Sequence, residues 1–285
     1  MKKNDKKVLI VGLGLIGGSY AMALRDKGYE VEAIVRREET LEYAISNGII
    51  KNGRTTVDKD YIQSFSTIIF CLYPSVFLDW MDKYHSYIKD GSYLTDVTGV
   101  KSKIVYKVQE YFKNTSTQFV ASHPMAGREV YGIENADASI FKNANFIVTP
   151  TMSNISDAIE RTKSLGEELG FKKVSILSPE EHDKMIAFLS QLTHVIAVSL
   201  MTTEDSENLA NYTGDSFRDF TRIANINSSM WTELFLLNKE YLLEKIDAFM
   251  NEMKEFRDAL SNEDVKTLKK KMELSTLRRS YFIKK

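Results

Sequence analysis

The chain has 285 residues, 43% hydrophobic and 27% charged, which suits one large or two ordinary globular domains. With 38 basic and 39 acidic residues the net charge is −1, giving no electrostatic ground for a nucleic-acid or membrane-surface partner. The single cysteine, Cys71, excludes an internal disulfide and fits a reducing, cytoplasmic compartment.

After a basic N-terminal stretch, only four apolar residues, Val8 to Val11, precede Gly12, too few for a secretory signal core. They suit a strand buried on both faces of a parallel sheet. Gly12, Gly14 and Gly17 follow at the GxGxxG spacing, with Leu15 and Ile16 between the last two. The first glycine permits a tight turn, the second lets backbone approach a pyrophosphate, and the third lets the next helix pack on the strand. A helix-compatible run, Ser19 to Lys27, ends at Gly28, and a second apolar run, Val31 to Val35, completes a strand, helix, strand unit. This predicts a dinucleotide site with its phosphates at a helix N-terminus.

In an NAD site an acidic residue ends the second strand, about 20 residues beyond the glycines. Arg36 and Arg37 stand at that place here. Two guanidinium groups suit a 2′-phosphate, so NADP is favoured over NAD. The other reading leaves both arginines solvated and gives Glu38 or Glu39 the NAD role.

Further on, Glu38 to Asn47 reads as a helix, Ser66 to Leu72 as a strand closed by Tyr73 and Pro74, and Val76 to Ile88 as an amphipathic helix. Ser92 to Asp96 is a strand, Lys101 to Phe112 a helix, and Phe119 to Ser122 a strand. Asn145 to Val148 and Val174 to Leu177 are further strands flanking a helix over Ile155 to Leu169. This alternation predicts an α/β, doubly wound, Rossmann-type sheet with its ligand beyond the strand C-termini. Gly12 to Gly17, Arg36, Arg37, Tyr73, Pro74, Asp96 to Gly99 and His123 to Gly127 therefore collect at one edge; the glycine loop, the arginines, Tyr73, Pro74 and Asp96 are its cofactor candidates.

At Ser178 the character changes. Ser178-Pro179-Glu180-Glu181 is a capping box with proline at the first helical position. Beyond it helices are expected over 179–203, 205–213, 216–224, 228–259 and from 262 onward. The expected domains are thus 1–178, dinucleotide-binding, and 179–285, helical. Met185 to Thr203 carries no acidic or basic residue apart from His194 and is long enough to raise a transmembrane question. Ser190, Gln191, Thr193, His194 and Ser199 favour instead a helix buried on most sides in a soluble protein.

Of the four histidines, His85 and His182 read as structural or solvated. His123 stands in Ser-His-Pro-Met-Ala-Gly just past a strand on the ligand side, where imidazole can take a proton from a hydroxyl as hydride leaves. His194, inside the uncharged helix, is divided between a core and a site role. Arg218 and Arg222 share one helix face: one suits pairing with Asp219 or a neighbouring helix, the other a substrate carboxylate. No metal is expected.

These residues together resemble the prephenate dehydrogenase family of tyrosine biosynthesis. The resemblance rests on Gly-Leu-Gly-Leu-Ile-Gly-Gly-Ser, Thr95-Asp-Val97 with Val100-Lys101, His123-Pro-Met-Ala-Gly127, Leu192-Thr-His-Val-Ile196, and Asp219-Phe-Thr-Arg-Ile-Ala224 with Met230-Trp231. It implies oxidative decarboxylation of prephenate to 4-hydroxyphenylpyruvate, with His123 taking the ring-hydroxyl proton. His194, Trp231 and Gly127 would belong to the substrate pocket, Arg222 would bind a carboxylate, and the helical part would form a homodimer. The family usually has a serine where this chain has Gly99, and Thr98 is the adjacent hydroxyl that would replace it as a catalytic group. No C-terminal regulatory domain or fused mutase is expected, so tyrosine inhibition would act at the active site. Arogenate dehydrogenase is the nearest alternative; a 3-hydroxy-acid-type dehydrogenase and a non-catalytic nicotinamide-binding module are more distant ones.

Overall fold

The computed structural model describes residues 6–205 and 207–282; the start of the basic N-terminal stretch and the end of the helix expected from 262 onward lie outside them. Six strands, β1 (Lys7–Val11), β2 (Glu30–Ile34), β3 (Asn52–Arg54), β4 (Thr67–Phe70), β5 (Tyr93–Asp96) and β6 (Gln118–Phe119), form a parallel sheet in the order β3-β2-β1-β4-β5-β6. The order reverses between β1 and β4, which opens a crevice beyond the strand ends there. Alternation along β1 sends Val8 and Ile10 into one apolar cluster and Leu9 and Val11 into the other, so the sheet is covered on both faces. The covering helices are α1 (Leu15–Asp26), α2 (Glu38–Ser46), α3 (Lys59–Gln63), α4 (Pro74–Tyr84) and α5 (Ser102–Phe112).

The apolar run at 119–122 is not one strand. β6 ends at Phe119, and β7 (Ala121–Met125) opens a second sheet, antiparallel to β8 (Asn145–Thr149), which in turn pairs in parallel with β9 (Lys173–Ile176). His123 therefore lies within β7, opposite Ile147, and not past its end. Pro124 is tolerated because β7 is an edge strand. β3 has no apolar pattern to announce it; its Gly53 is required because a Cβ there would lie 2.6 Å from the Ala33 carbonyl oxygen.

After α6 (Ser156–Glu168), the capping box forms as its spacing predicts: Ser178 Oγ accepts the Glu181 N–H at 3.2 Å, and the Glu181 carboxylate accepts the Ser178 N–H at 2.9 Å. It starts α7 (Pro179–Ile186), which continues through a π-helical stretch, Ala187–Leu192, into α8 (Thr193–Met201). This is the one helix among the described residues long and apolar enough to cross a membrane by length and composition, but it is not buried on most sides as its sequence suggested. Phe188, Leu189, Leu200 and Met201 lie on its exposed face.

A 3-10 turn (Glu207–Tyr212), α9 (Asp215–Thr221) and α10 (Ser228–Leu237) follow. The single helix expected over 228–259 breaks at Asn238, whose side-chain amide donates to the Asp183 carbonyl at 2.9 Å and to Gln191 Oε1 at 2.7 Å. The chain divides into two compact units after Asn238. The second contains α11 (Lys239–Ser261) and α12 (Val265–Ser280), which pack as a pair with Lys271 bridging Glu252 and Glu255.

Candidate active site

The turn between β1 and α1 is built from its three glycines. Gly12 adopts φ +96°, and a Cβ there would lie 2.6 Å from the Cys71 carbonyl oxygen. A Cβ on Gly17 would fall 2.1 Å from the Gly12 carbonyl oxygen, so α1 can approach β1 only with glycine there. Gly14 meets nothing within 4 Å and borders a cavity of about 490 Å³. Its open backbone and the N-terminal N–H groups of α1 thus fit a dinucleotide pyrophosphate. Leu15, Ile16 and Tyr73 line the same cavity, while Pro74 sits at the first position of α4 and fixes the turn that presents Tyr73.

At the end of β2, Arg36 and Arg37 are exposed and pair with no side chain among the described residues. Of the carboxylates that could have taken an NAD role, Glu38 accepts a hydrogen bond from Thr55 at 3.2 Å. Within β2 itself, Glu32 is held by Lys7 at 3.0 Å and by the Tyr61 hydroxyl at 2.8 Å.

Asp96 and Thr98, expected at the cofactor and the reaction centre, lie instead beneath the cavity floor. Both are buried. Thr98 Oγ1 donates to the Asp96 carboxylate, which also accepts the Ser122 N–H at 3.1 Å and Lys101 Nζ at 2.8 Å. Lys101 Nζ further donates to the Ser122 carbonyl at 2.6 Å. The spacing Asp96, Thr98, Lys101 thus closes a charged lock between β5 and β7, and its threonine hydroxyl is turned away from the cavity. Burial lowers the Lys101 ammonium from its usual range, and the Asp96 carboxylate opposes that. Gly99, by contrast, faces the cavity: a Cβ there would begin 3.8 Å from His123 Nε2 and 3.4 Å from Leu234.

His123 is placed by the β7 to β8 ladder, with its ring in the cavity wall. Its Nδ1 lies 2.8 Å from His182 Nε2, and His182 Nδ1 lies 2.8 Å from Asp183 Oδ1. Burial, reinforced by the neighbouring His182 and Lys101, holds His123 well below the ordinary imidazole range. It is therefore neutral and a base at neutral pH.

The π-helical stretch widens the backbone so that Ile186, Ser190, Gln191 and His194 all border the cavity. His194 Nδ1 is 2.9 Å from the Ser190 carbonyl, and its ring stacks on Trp231 with centroids 3.7 Å apart. Burial lowers His194, against the opposing Ser190 carbonyl and Glu129 carboxylate. Arg222 ion-pairs with Glu129 at the rim, and Gly127 lies in the loop beneath. Arg218 is occupied by Asp215 and the Thr213 carbonyl.

The cavity thus gathers His123, His194, Trp231, Gly127, Tyr73 and the glycine loop, with Arg222 at its edge. Sequence reasoning took His182 as structural or solvated and named Lys101 only as part of the family motif, and it did not single out Asp183 or Glu129. His182 and Asp183 carried one usable signal, their position directly after a specific helix start.

A doubly wound sheet, an open glycine turn and a neutral histidine in one cavity define a dinucleotide-dependent oxidoreductase. Residues 20–187 match a family model described as prephenate dehydrogenase, nucleotide-binding domain, and residues 178–274 one described as prephenate dehydrogenase, dimerization domain. Prephenate dehydrogenase of Bacillus subtilis is 31% identical over 94% of this chain and 74% of its own length. The solved structure of prephenate dehydrogenase from A. aeolicus, in complex with hydroxyphenyl propionate and NAD+, superimposes with TM-score 0.87 at 28% identity, covering 97% of this chain and 98% of that one. Synechocystis arogenate dehydrogenase superimposes with TM-score 0.82 at 25% identity over 97% of this chain and all of that one. The chain belongs to the prephenate dehydrogenase family.

Proposed function

We propose that the protein catalyses the oxidative decarboxylation of prephenate to 4-hydroxyphenylpyruvate and carbon dioxide, in tyrosine biosynthesis in the cytoplasm. The observation that carries the reading is His123, a neutral imidazole in the wall of the cavity that the glycine turn also borders. When bound, the nicotinamide dinucleotide supplies the acceptor for the hydride of the substrate's carbinol carbon. His123 Nε2 takes the proton of the ring hydroxyl as that carbon becomes a ketone. The ring ketone then receives the electron pair of the breaking carboxylate bond, and aromatisation makes the step irreversible. The proton count closes when the His123 imidazolium returns its proton to the phenolate oxygen.

His194 and Trp231, stacked on one another, form an aromatic wall suited to a six-membered ring. Arg222 binds a substrate carboxylate by exchanging its Glu129 partner for it. The unpaired Arg36 and Arg37 support NADP over NAD, since neither is committed to a protein carboxylate among the described residues. The match to a dimerization domain, together with exposed Phe188, Leu189, Met250, Met253, Phe256 and Leu277, supports a homodimer formed through the C-terminal helices.

The test is reduced-cofactor formation by the purified protein, with prephenate or arogenate and with NADP or NAD in all four pairings. The reading predicts fastest turnover for prephenate with NADP, with 4-hydroxyphenylpyruvate as product. Faster turnover of arogenate would move the substrate assignment to the amino analogue, and turnover of neither would refute the reading.

A further inference from the structure

Asp183, on the first turns of α7, has its carboxylate committed on both oxygens. Oδ1 accepts the Lys101 N–H and Oδ2 the Ser102 N–H, each at 2.8 Å, at the start of α5. A carboxylate receiving two backbone donors and a third contact from imidazole is an acceptor only. Burial raises Asp183, but hydrogen bonds from His182 and Ser102 outweigh it and leave the carboxyl below its usual range. His182 Nδ1, 2.8 Å from Oδ1, must then be the donor.

His182 is fully buried, and burial holds it below the ordinary imidazole range although Asp183 opposes that. A neutral imidazole that donates at Nδ1 has a bare Nε2. That Nε2 lies 2.8 Å from His123 Nδ1, and two bare nitrogens do not make such a contact, so His123 Nδ1 carries the hydrogen. Its own Nε2 is left with the lone pair. This is the nitrogen nearest Gly99 on the cavity side.

From this donor and acceptor sequence we propose that His182 and Asp183 are positioning residues that hold His123 as the Nδ1–H tautomer, with the Nε2 lone pair directed into the cavity. The capping box Ser178/Glu181 sets the start of α7 and so the register of His182 and Asp183. Asn238 ties the same turn from α10 by donating to the Asp183 carbonyl. Without the relay, imidazole reverts toward the Nε2–H tautomer, in which the nitrogen facing the substrate is already protonated. The charged and titratable groups around this chain are Asp96 and Lys101 beneath it, and Glu129, His194 and Arg222 across the cavity.

This rests on the proposed reaction for its consequence, but the tautomer itself does not, and the test separates the two. Ring-nitrogen NMR of the full-length protein labelled with ¹⁵N-histidine, without substrate or cofactor at mildly alkaline pH, reads the tautomer of His123 directly. The expected result is a protonated Nδ1 and a bare Nε2 in the wild type. His182→Asn keeps an amide toward Asp183 but has no atom at the Nε2 position, whereas His182→Gln returns an acceptor oxygen there.

The asparagine variant should gain Nε2–H signal and lose roughly 10- to 100-fold in kcat, a part of what a triad loses to the wrong tautomer, with KM and cofactor affinity unchanged. The glutamine variant should recover most of that loss and of the wild-type tautomer. A wild-type His123 protonated at Nε2 overturns the proposal, whatever the substrate proves to be. So does an asparagine variant that loses turnover with the His123 tautomer unchanged. If the protein turns over neither prephenate nor arogenate, the proposed reaction fails while the wild-type tautomer still decides the relay. If neither variant folds, the wild-type spectrum alone decides it.

Discussion

Lys101 Nζ lies 2.8 Å from the Asp96 carboxylate, and neither side chain has any exposed surface. A buried pair adds little over a well-packed apolar one, but removing one partner leaves the other charge stranded. Lys101→Met is therefore predicted to lower the unfolding free energy by about 3–5 kcal/mol. Urea unfolding measures this. A loss under about 1 kcal/mol, the scale of an exposed pair, would contradict the lock.

Thr98 separates an architectural hydroxyl from a catalytic one. Because Thr98 Oγ1 donates to Asp96 and faces away from the cavity, Thr98→Val is predicted to cost about 1–3 kcal/mol of stability through the weakened hydrogen bonding of a buried carboxylate. Turnover of the folded fraction should stay within a few-fold of wild type. A hundredfold fall in kcat with unchanged stability would restore Thr98 to the reaction centre.

The glycine turn offers a paired comparison. A methyl at Gly17 would collide with the Gly12 carbonyl, whereas one at Gly14 would enter open space. Gly17→Ala is accordingly predicted to destabilise the fold by more than about 2 kcal/mol, as overpacking against backbone does. Gly14→Ala should melt with the wild type yet bind the dinucleotide more weakly. Thermal denaturation and cofactor titration distinguish the two, and a Gly14→Ala protein with wild-type cofactor affinity would contradict a phosphate at that backbone.

Stability should also depend on pH in a defined window. His123 and His182 are both held low by burial, so in mildly acidic solution the unfolded chain binds more protons than the folded one. Stability is then full above about pH 6.5, the ordinary imidazole value, and falls as the solution is acidified below it. Asp183, also held low, contributes only in more acidic solution, below about pH 4. The melting temperature should therefore decline between about pH 7 and pH 5, and less steeply in His182→Gln. A flat profile across that interval would contradict neutral buried imidazoles.

Much of this is legible in the sequence itself. The apolar runs, the glycine spacing and the Ser178 capping box are local signals, and apart from the run at 119–122, which is split between two sheets, they formed the elements their patterns predict. His123 was legible for the same reason, as an unusual residue in a proline-stiffened motif. What escaped was tertiary. His182 is remote from His123 in sequence and meets it only because α7 packs against β8, the partner strand of β7, and Asp96 looked like a ligand group until its buried lysine partner was in place. The π-helical stretch has no compositional mark, so the turn that brings Ser190 and His194 to the cavity read as plain helix. Nor does an apolar helix reveal which of its faces is left exposed, as Phe188 and Leu200 are here.

The most direct measurement of the central claim is the turnover of His123→Asn with prephenate, taken beside its cofactor affinity and melting temperature. A positioned general base contributes roughly 10²- to 10⁴-fold, so the variant should lose turnover by that factor while binding cofactor and melting as the wild type does. Turnover within a few-fold of wild type would contradict the assignment of His123 as the base.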